Sequence, residues 1–186
     1  MSIIAGIDEV GRGCLAGPVM AAAVILPADI SHITLKDSKK MTAKAREASY
    51  HLLVQSATIG VGVASVAEVD AIGVGKASLL AMQRAYQRLE LKPDQVWVDG
   101  NIAPDIDCEV KTFTSGDSRF ACISAASIVA KVLRDQWMLT MDAHFPEYGF
   151  AGHKGYGTKK HLEALKNHGI CRLHRTSFAP VKELIE

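Results

Sequence analysis

No stretch of about 18 consecutive apolar residues occurs in the sequence, which argues against a membrane-spanning helix. Charge of one sign is also lacking overall: 21 Lys and Arg stand against 20 Asp and Glu, a net charge of +1 that points neither toward nor away from a polyanionic partner. The four cysteines, Cys14, Cys108, Cys122 and Cys171, form no C-x-x-C pair. A structural zinc site and a disulfide framework are therefore disfavoured, and the thiols are expected to be reduced and to act as small apolar side chains. The first residues carry neither the basic stretch nor the small-residue cleavage pattern of a secretory signal, so the expected location is cytoplasmic. A nucleotide-triphosphatase loop is absent as well. Gly73-Val74-Gly75-Lys76 resembles one superficially, but Asp70 stands where its first glycine belongs and Ala77 where a magnesium-holding hydroxyl belongs. No G-x-S-x-G element suggests a serine hydrolase, and repeats, low-complexity tracts and linkers are missing.

What is present is a chain of 186 residues, 48% hydrophobic and 22% charged, which suits one soluble domain. Its charge is unevenly spread. Residues 1–150 hold 14 Lys and Arg against 17 Asp and Glu, while residues 151–186 hold 7 against 3 and four of the seven histidines. A basic segment on a mildly acidic body suits a polyanion held beside carboxylates, although a solvated basic face is the plainer meaning of charge alone.

Residues 2–7 read as a buried strand ending at Asp8-Glu9, with a turn at Gly11 and Gly13. A second strand over residues 18–26 would form a hairpin with the first. Thr42 is a candidate N-cap for a helix reaching about residue 55, and residues 58–66 read as a third strand. Residues 67–71 suggest a helical turn, and residues 76–91 a helix with Leu79, Leu80, Met82, Ala85, Tyr86 and Leu89 on its apolar side. Short strands follow at residues 96–98 and 110–113. Ser118 is a candidate cap for a long, largely apolar helix through residue 143, residues 149–157 read as a loop, and residues 158–168 as a helix closed by Gly169. Antiparallel strands followed by strand–helix alternation predict an α/β fold with a mixed β-sheet flanked by helices.

Acids recur beside apolar runs or glycines: Asp8-Glu9, Asp99 and Asp117. Side chains there can project from a sheet edge into a crevice, where converging carboxylates would repel one another without a cation between them. Hard oxygen ligands select magnesium or manganese, and a pair of such ions can activate water and stabilise the leaving oxygen in phosphodiester hydrolysis. The alternative is that these acids are caps and turn residues, an explanation that fits adjacent acids after a buried strand least well. Gly11-Arg12-Gly13 would let backbone groups approach a ribose hydroxyl or phosphate, or would simply turn a hairpin. Asp37-Ser38-Lys39-Lys40 offers hydroxyl and ammonium groups to a phosphate, or is a solvated loop. Tyr156, within His153-Lys154-Gly155-Tyr156-Gly157-Thr158, could stack on a sugar or base, or pack beneath its loop. Histidine-based RNA cleavage through His144, His153 or His174 would leave the acids without a role.

Together these segments resemble the bacterial ribonuclease HII family, the type 2 ribonucleases H. The blocks that carry the resemblance run in order from Gly6-Ile7-Asp8-Glu9-Val10-Gly11-Arg12-Gly13, through Asp37-Ser38-Lys39-Lys40, Val98-Asp99-Gly100-Asn101 and Gly116-Asp117-Ser118-Arg119, to residues 123–135, 153–158 and 174–180. The resemblance implies a ribonuclease H-like fold with a small helical C-terminal part. Residues 1–150 would form the catalytic core and residues 151–186 a basic helical substrate-binding segment of the same structural unit. It implies an endonuclease that hydrolyses the RNA strand of RNA–DNA hybrids and incises duplex DNA 5′ to a single embedded ribonucleotide, leaving 3′-hydroxyl and 5′-phosphate ends. Asp8, Glu9, Asp99 and Asp117 look like its catalytic, metal-binding carboxylates, holding Mn2+ or Mg2+, two ions with substrate bound. Gly11, Arg12 and Gly13 would read the 2′-hydroxyl, Ser38 and Lys39 would hold a phosphate, and Tyr156 would bear on the sugar of the next deoxynucleotide.

Three departures stand out: Cys14 where proline is usual, Ser115 where lysine or glycine is common, and no Q-x-x-L-x-x-F-F-like tail, so no sliding-clamp partner is expected. Nothing demands more than a monomer. The competing readings are a structure-specific DNA nuclease with a similar carboxylate site, which would have no 2′-hydroxyl to read, and a hybrid-binding module without catalysis.

Overall fold

The structure, a computed structural model, describes residues 2–35 and 38–185, without the side chain of Lys39. Strand β1 (Ile4–Val10) pairs antiparallel with β2 (Val19–Ile25), which pairs antiparallel with β3 (Thr58–Ala64). On the other side of β1, β4 (Gln95–Asp99) runs parallel to it and β5 (Glu109–Phe113) parallel to β4. The result is the expected mixed sheet, in the order β3-β2-β1-β4-β5.

Helices cover both faces because the inner strands are apolar on both. Helix α1 (Ala43–Ser56) starts at Thr42, whose hydroxyl caps Ala45 N–H, and α2 (Val66–Ile72) starts at a Ser65/Glu68 capping box. Helix α3 (Val74–Gln87) lays Ala77, Ala81, Met82 and Ala85 on one face of the sheet, against Ala5, Ile7, Val96 and Val98. The opposite face is covered by α1 and the long α4 (Ala121–His144), with Ala125, Ala126, Val129 and Ala130 against Ala22 and Val24. Contact with β1 is so close that a Cβ on Gly6 would lie 2.1 Å from the Cys122 carbonyl carbon. A third cluster joins the far half of α4 to α5 (Phe150–His153), α6 (Lys159–His168) and α7 (Ala179–Lys182), and to Leu15 and Ala16 between β1 and β2.

Four local expectations are corrected. Strand β1 does not stop before the acids but continues through Asp8 and Glu9 to Val10, because Glu9 and Val10 still pair with Ala21 and Met20. The third strand ends at Ala64, where Ser65 turns to cap α2. Ser118 does not cap α4; it closes a 3-10 turn, Gly116–Ser118, and bonds the Ser115 carbonyl, leaving Phe120 at the cap position. Residues 149–157 are not all loop, since they contain α5.

Candidate active site

Asp8 and Glu9 are neighbours on a strand and so lie on opposite faces of the sheet. Asp8 turns toward α4, is 5% exposed, and accepts hydrogen bonds from the Ser127 hydroxyl and from Glu9 N–H (2.8 Å). Burial first, and then the charges of Glu9 and Asp99, push its carboxyl well above the usual carboxylate range. With its proton given to Asp8, the Ser127 oxygen accepts from Ser38 Oγ at 2.8 Å, which ties the expected phosphate-holding loop to the first acid. Glu9 is also raised by burial, opposed by the Arg12 guanidinium 3.1 Å away.

Ile7 aligns with Val98 across the parallel pair, so Asp99 stands one step beyond, beside Asp8 and on the same face. Asp99 Oδ1 accepts Gly116 N–H at 2.6 Å, which docks the 3-10 turn carrying the buried Asp117 onto the end of β4. Ser115, leading into this turn, adopts a left-handed conformation (φ 54°). Because β1, β4 and β5 are parallel, their C-terminal ends share one edge, where a crevice forms in α/β sheets.

Among the described residues no three His, Cys, Asp or Glu side chains close into a ready-made metal cage. The donors fit a hard divalent cation nonetheless. All are carboxylate oxygens, Asp8 feels the charges of Glu9 and Asp99, and octahedral magnesium sites are usually completed by water and substrate phosphate oxygens.

Gly11 (φ 94°) begins the loop next to these acids, and Gly13 has open space around its Cβ position. Two fully buried arginines hold this loop from beneath. Arg175 donates to the carbonyls of Gly11 (2.7 Å), Arg12 (2.9 Å) and Gly17 (2.7 Å), and Arg134 to those of Ala16 (3.0 Å), Pro18 (2.9 Å) and Lys154 (2.9 Å). Desolvation lowers the Arg175 pKa to about 10, still cationic at neutral pH. Tyr156 is brought to the same loop by a β-bridge with Cys14. Tyr156 is 39% exposed, with Lys131 Nζ 5.6 Å from its ring centroid, and the buried Cys14 thiol lies against it. Asp37 and the Lys39 side chain, two members of the expected phosphate-holding set, lie outside the described residues.

Sequence reasoning gave no role to Arg134, Arg175 or Ser127. The available signal was slight: an arginine closing the apolar run of α4, and a serine facing the same way along that helix.

The family model for ribonuclease HII matches residues 5–181. Ribonuclease HII of Coxiella burnetii (strain Dugway 5J108-111) is 49% identical over 183 residues, covering 98% of this chain and 91% of that protein. The chain belongs to the ribonuclease HII family. It is accordingly a ribonuclease H, an endonuclease of a divalent-metal-dependent family that acts on RNA–DNA hybrids. Among solved structures, ribonuclease H2 from Pyrococcus horikoshii OT3 superposes with a TM-score of 0.82 at 23% identity, covering 97% of this chain and 96% of that one. Bst-RNase HIII in complex with Mn2+ gives 0.77 at 18% identity, covering 99% of this chain and 69% of that one. Both likenesses establish the ribonuclease H-like fold of this ribonuclease HII relative.

Proposed function

We propose that this chain incises duplex DNA 5′ to a single embedded ribonucleotide, besides hydrolysing the RNA strand of longer hybrids, and leaves 3′-hydroxyl and 5′-phosphate ends. The observation that carries this reading is the Cys14–Tyr156 bridge. It joins an exposed aromatic ring to the Gly11–Gly13 loop, one residue beyond the strand that bears Asp8 and Glu9. A loop of backbone donors and acceptors suits the 2′-hydroxyl, the one group that distinguishes RNA from DNA at a given site. An aromatic ring beside it suits the flat face of the neighbouring sugar.

Asp8, Glu9, Asp99 and Asp117 would hold two divalent ions, Mn2+ or Mg2+. When bound, such ions supply an activated water and neutralise charge at the departing 3′-oxygen. Asp8 and Asp99, adjacent on one sheet face, are the pair best placed to share an ion. Arg12 holds the Glu9 carboxylate in one orientation, and Ser127 does so for Asp8. Ser38 and Lys39 would receive a backbone phosphate, and the basic segment over residues 151–186 would follow the duplex backbone.

The test is cleavage of a labelled duplex containing one ribonucleotide, with magnesium, manganese or chelator, beside Asp8→Asn and Asp99→Asn. Metal-dependent incision 5′ to the ribonucleotide, lost in both variants, is expected. Cleavage of long hybrids with no incision at a single ribonucleotide would overturn the substrate reading, and full activity of either variant would overturn the site.

A further inference from the structure

Three histidines of the C-terminal segment form a cluster that touches no carboxylate of the site. His161 and His174 are 0% and 2% exposed, Phe150 meets His161 edge to face, Tyr148 is tilted against His174, and His153 stacks on His161 with centroids 4.2 Å apart. The hydrogen bonds around these rings fix where each proton resides. His174 Nδ1 lies 2.9 Å from Cys171 N–H, which donates to it, and 3.3 Å from the Cys171 carbonyl oxygen; the shorter contact leaves that nitrogen bare and the ring proton on Nε2. His174 Nε2 is 3.0 Å from His161 Nε2, which must therefore accept. The His161 proton is then on Nδ1, 2.9 Å from the Tyr156 carbonyl oxygen, to which it donates. His153 is oriented in the same manner, taking Gly155 N–H on Nδ1 (3.2 Å) and donating from Nε2 to the Tyr148 carbonyl (2.9 Å).

We propose that His161 and His174 are positioning residues for substrate cleavage. They form a neutral chain of hydrogen bonds, running from Cys171 N–H through both rings to the Tyr156 carbonyl, that sets where the Tyr156 ring meets the nucleic acid. The proposal rests on the reading of Tyr156 as a substrate contact. Its geometric basis is a clamp. On one side Gly155 and Tyr156 are gripped by imidazoles; on the other, Gly155 O accepts Leu15 N–H at 2.8 Å and Tyr156 bridges to Cys14. His174 itself bridges to Ala16, so the chain begins and ends on the same loop. An exposed ring on a backbone held from both sides is pre-organised, and loses little freedom when substrate arrives.

The test has two arms on the intact protein. In the first, 15N shifts of the imidazoles at pH 7 are expected to show protonated Nδ1 on His161 and protonated Nε2 on His174; the reverse tautomer on either ring, or an imidazolium, overturns the chain. In the second, His161→Asn keeps an N–H donor at the Nδ1 position, whereas His161→Gln moves it to the Nε2 position. Both remove ring volume, so their difference isolates the bond to Tyr156. Cleavage at a single ribonucleotide is expected to fall about five- to tenfold in kcat/KM for Gln relative to Asn, at matched thermal stability, the size of one net hydrogen bond. Equal activity of the two overturns the proposal. Tyr156→Ala separates the premises: parental activity there defeats the reading of Tyr156 itself, whereas an impaired Tyr156→Ala beside an Asn/Gln pair of equal activity defeats only the histidine chain.

Discussion

Asp8 lies almost fully buried between β1 and α4, and the charges of Glu9 and Asp99 bear on it. Its folded-state pKa is raised, so at neutral pH the ionised form that the proposed metal role requires opposes folding. On the proposed role, the residue serves chemistry at the expense of stability. Asp8→Asn should therefore abolish cleavage and, in chelator, raise the thermal midpoint by about 2–6 °C for a chain of this size, as read by calorimetry. Added manganese should raise the parent's midpoint and not the variant's. The four acids could be singled out in the sequence because each stands where an apolar run or a glycine makes charge conspicuous. The arginines behind the Gly11–Gly13 loop could not, since an arginine reads as a solvated cation unless the carbonyls that surround it are known. Apart from that of Lys154, 20 positions from Arg134, those carbonyls come from residues 116 to 164 positions away.

At the level of elements, the contact between α4 and β1 decides whether Ser127 reaches Asp8. Gly6 permits that contact, and an added methyl group would meet helix backbone, which cannot rotate away. Gly6→Ala is expected to destabilise the protein by about 3 kcal/mol, near the upper end for overpacking, and to reduce cleavage by lifting α4 from the strand. Gly75→Ala in α3, with no neighbour within 4 Å, should leave the urea midpoint unchanged or slightly higher. Elements governed by local chemistry were legible. Thr42 caps α1 and Gly169 closes α6 as expected, while Thr158, read as the first helical residue, is the cap of α6. Boundaries governed by distant partners were not. Two acids in a row look like the end of a strand, yet ladder pairing with β2 carries β1 through them. Ser118 is a good cap by composition, but the turn it belongs to is docked on Asp99, and the helix begins three residues later.

For the molecule as a whole, the buried histidines set the behaviour in acid. Desolvation lowers the pKa of His161 and His174 to about 4 each. Their titratable neighbours are His153, Cys171 and Tyr148, with Glu147 beyond them. Unfolded, both histidines bind protons near pH 6.5. As pH falls from about 6.5 to about 4, the unfolded chain takes up protons that the fold refuses, so stability declines across that window and levels below it. Asp8 and Glu9 act in the opposite sense, because their raised pKa values let the fold take up protons first. The histidine contribution is therefore the difference between the urea-midpoint profiles of the parent and His161→Asn, and the parent's fall from pH 7 to pH 4.5 should be the steeper.

The Arg175 cradle has one more consequence, for the order of events during synthesis. Asp8 and Glu9 leave the ribosome well before residue 175, so the Gly11 and Gly17 carbonyls acquire their guanidinium partner late. A nascent chain thus carries these two carboxylates long before it carries the guanidinium that braces the Gly11–Gly13 loop beside them. The backbone of that loop is accordingly expected to settle only near the end of synthesis.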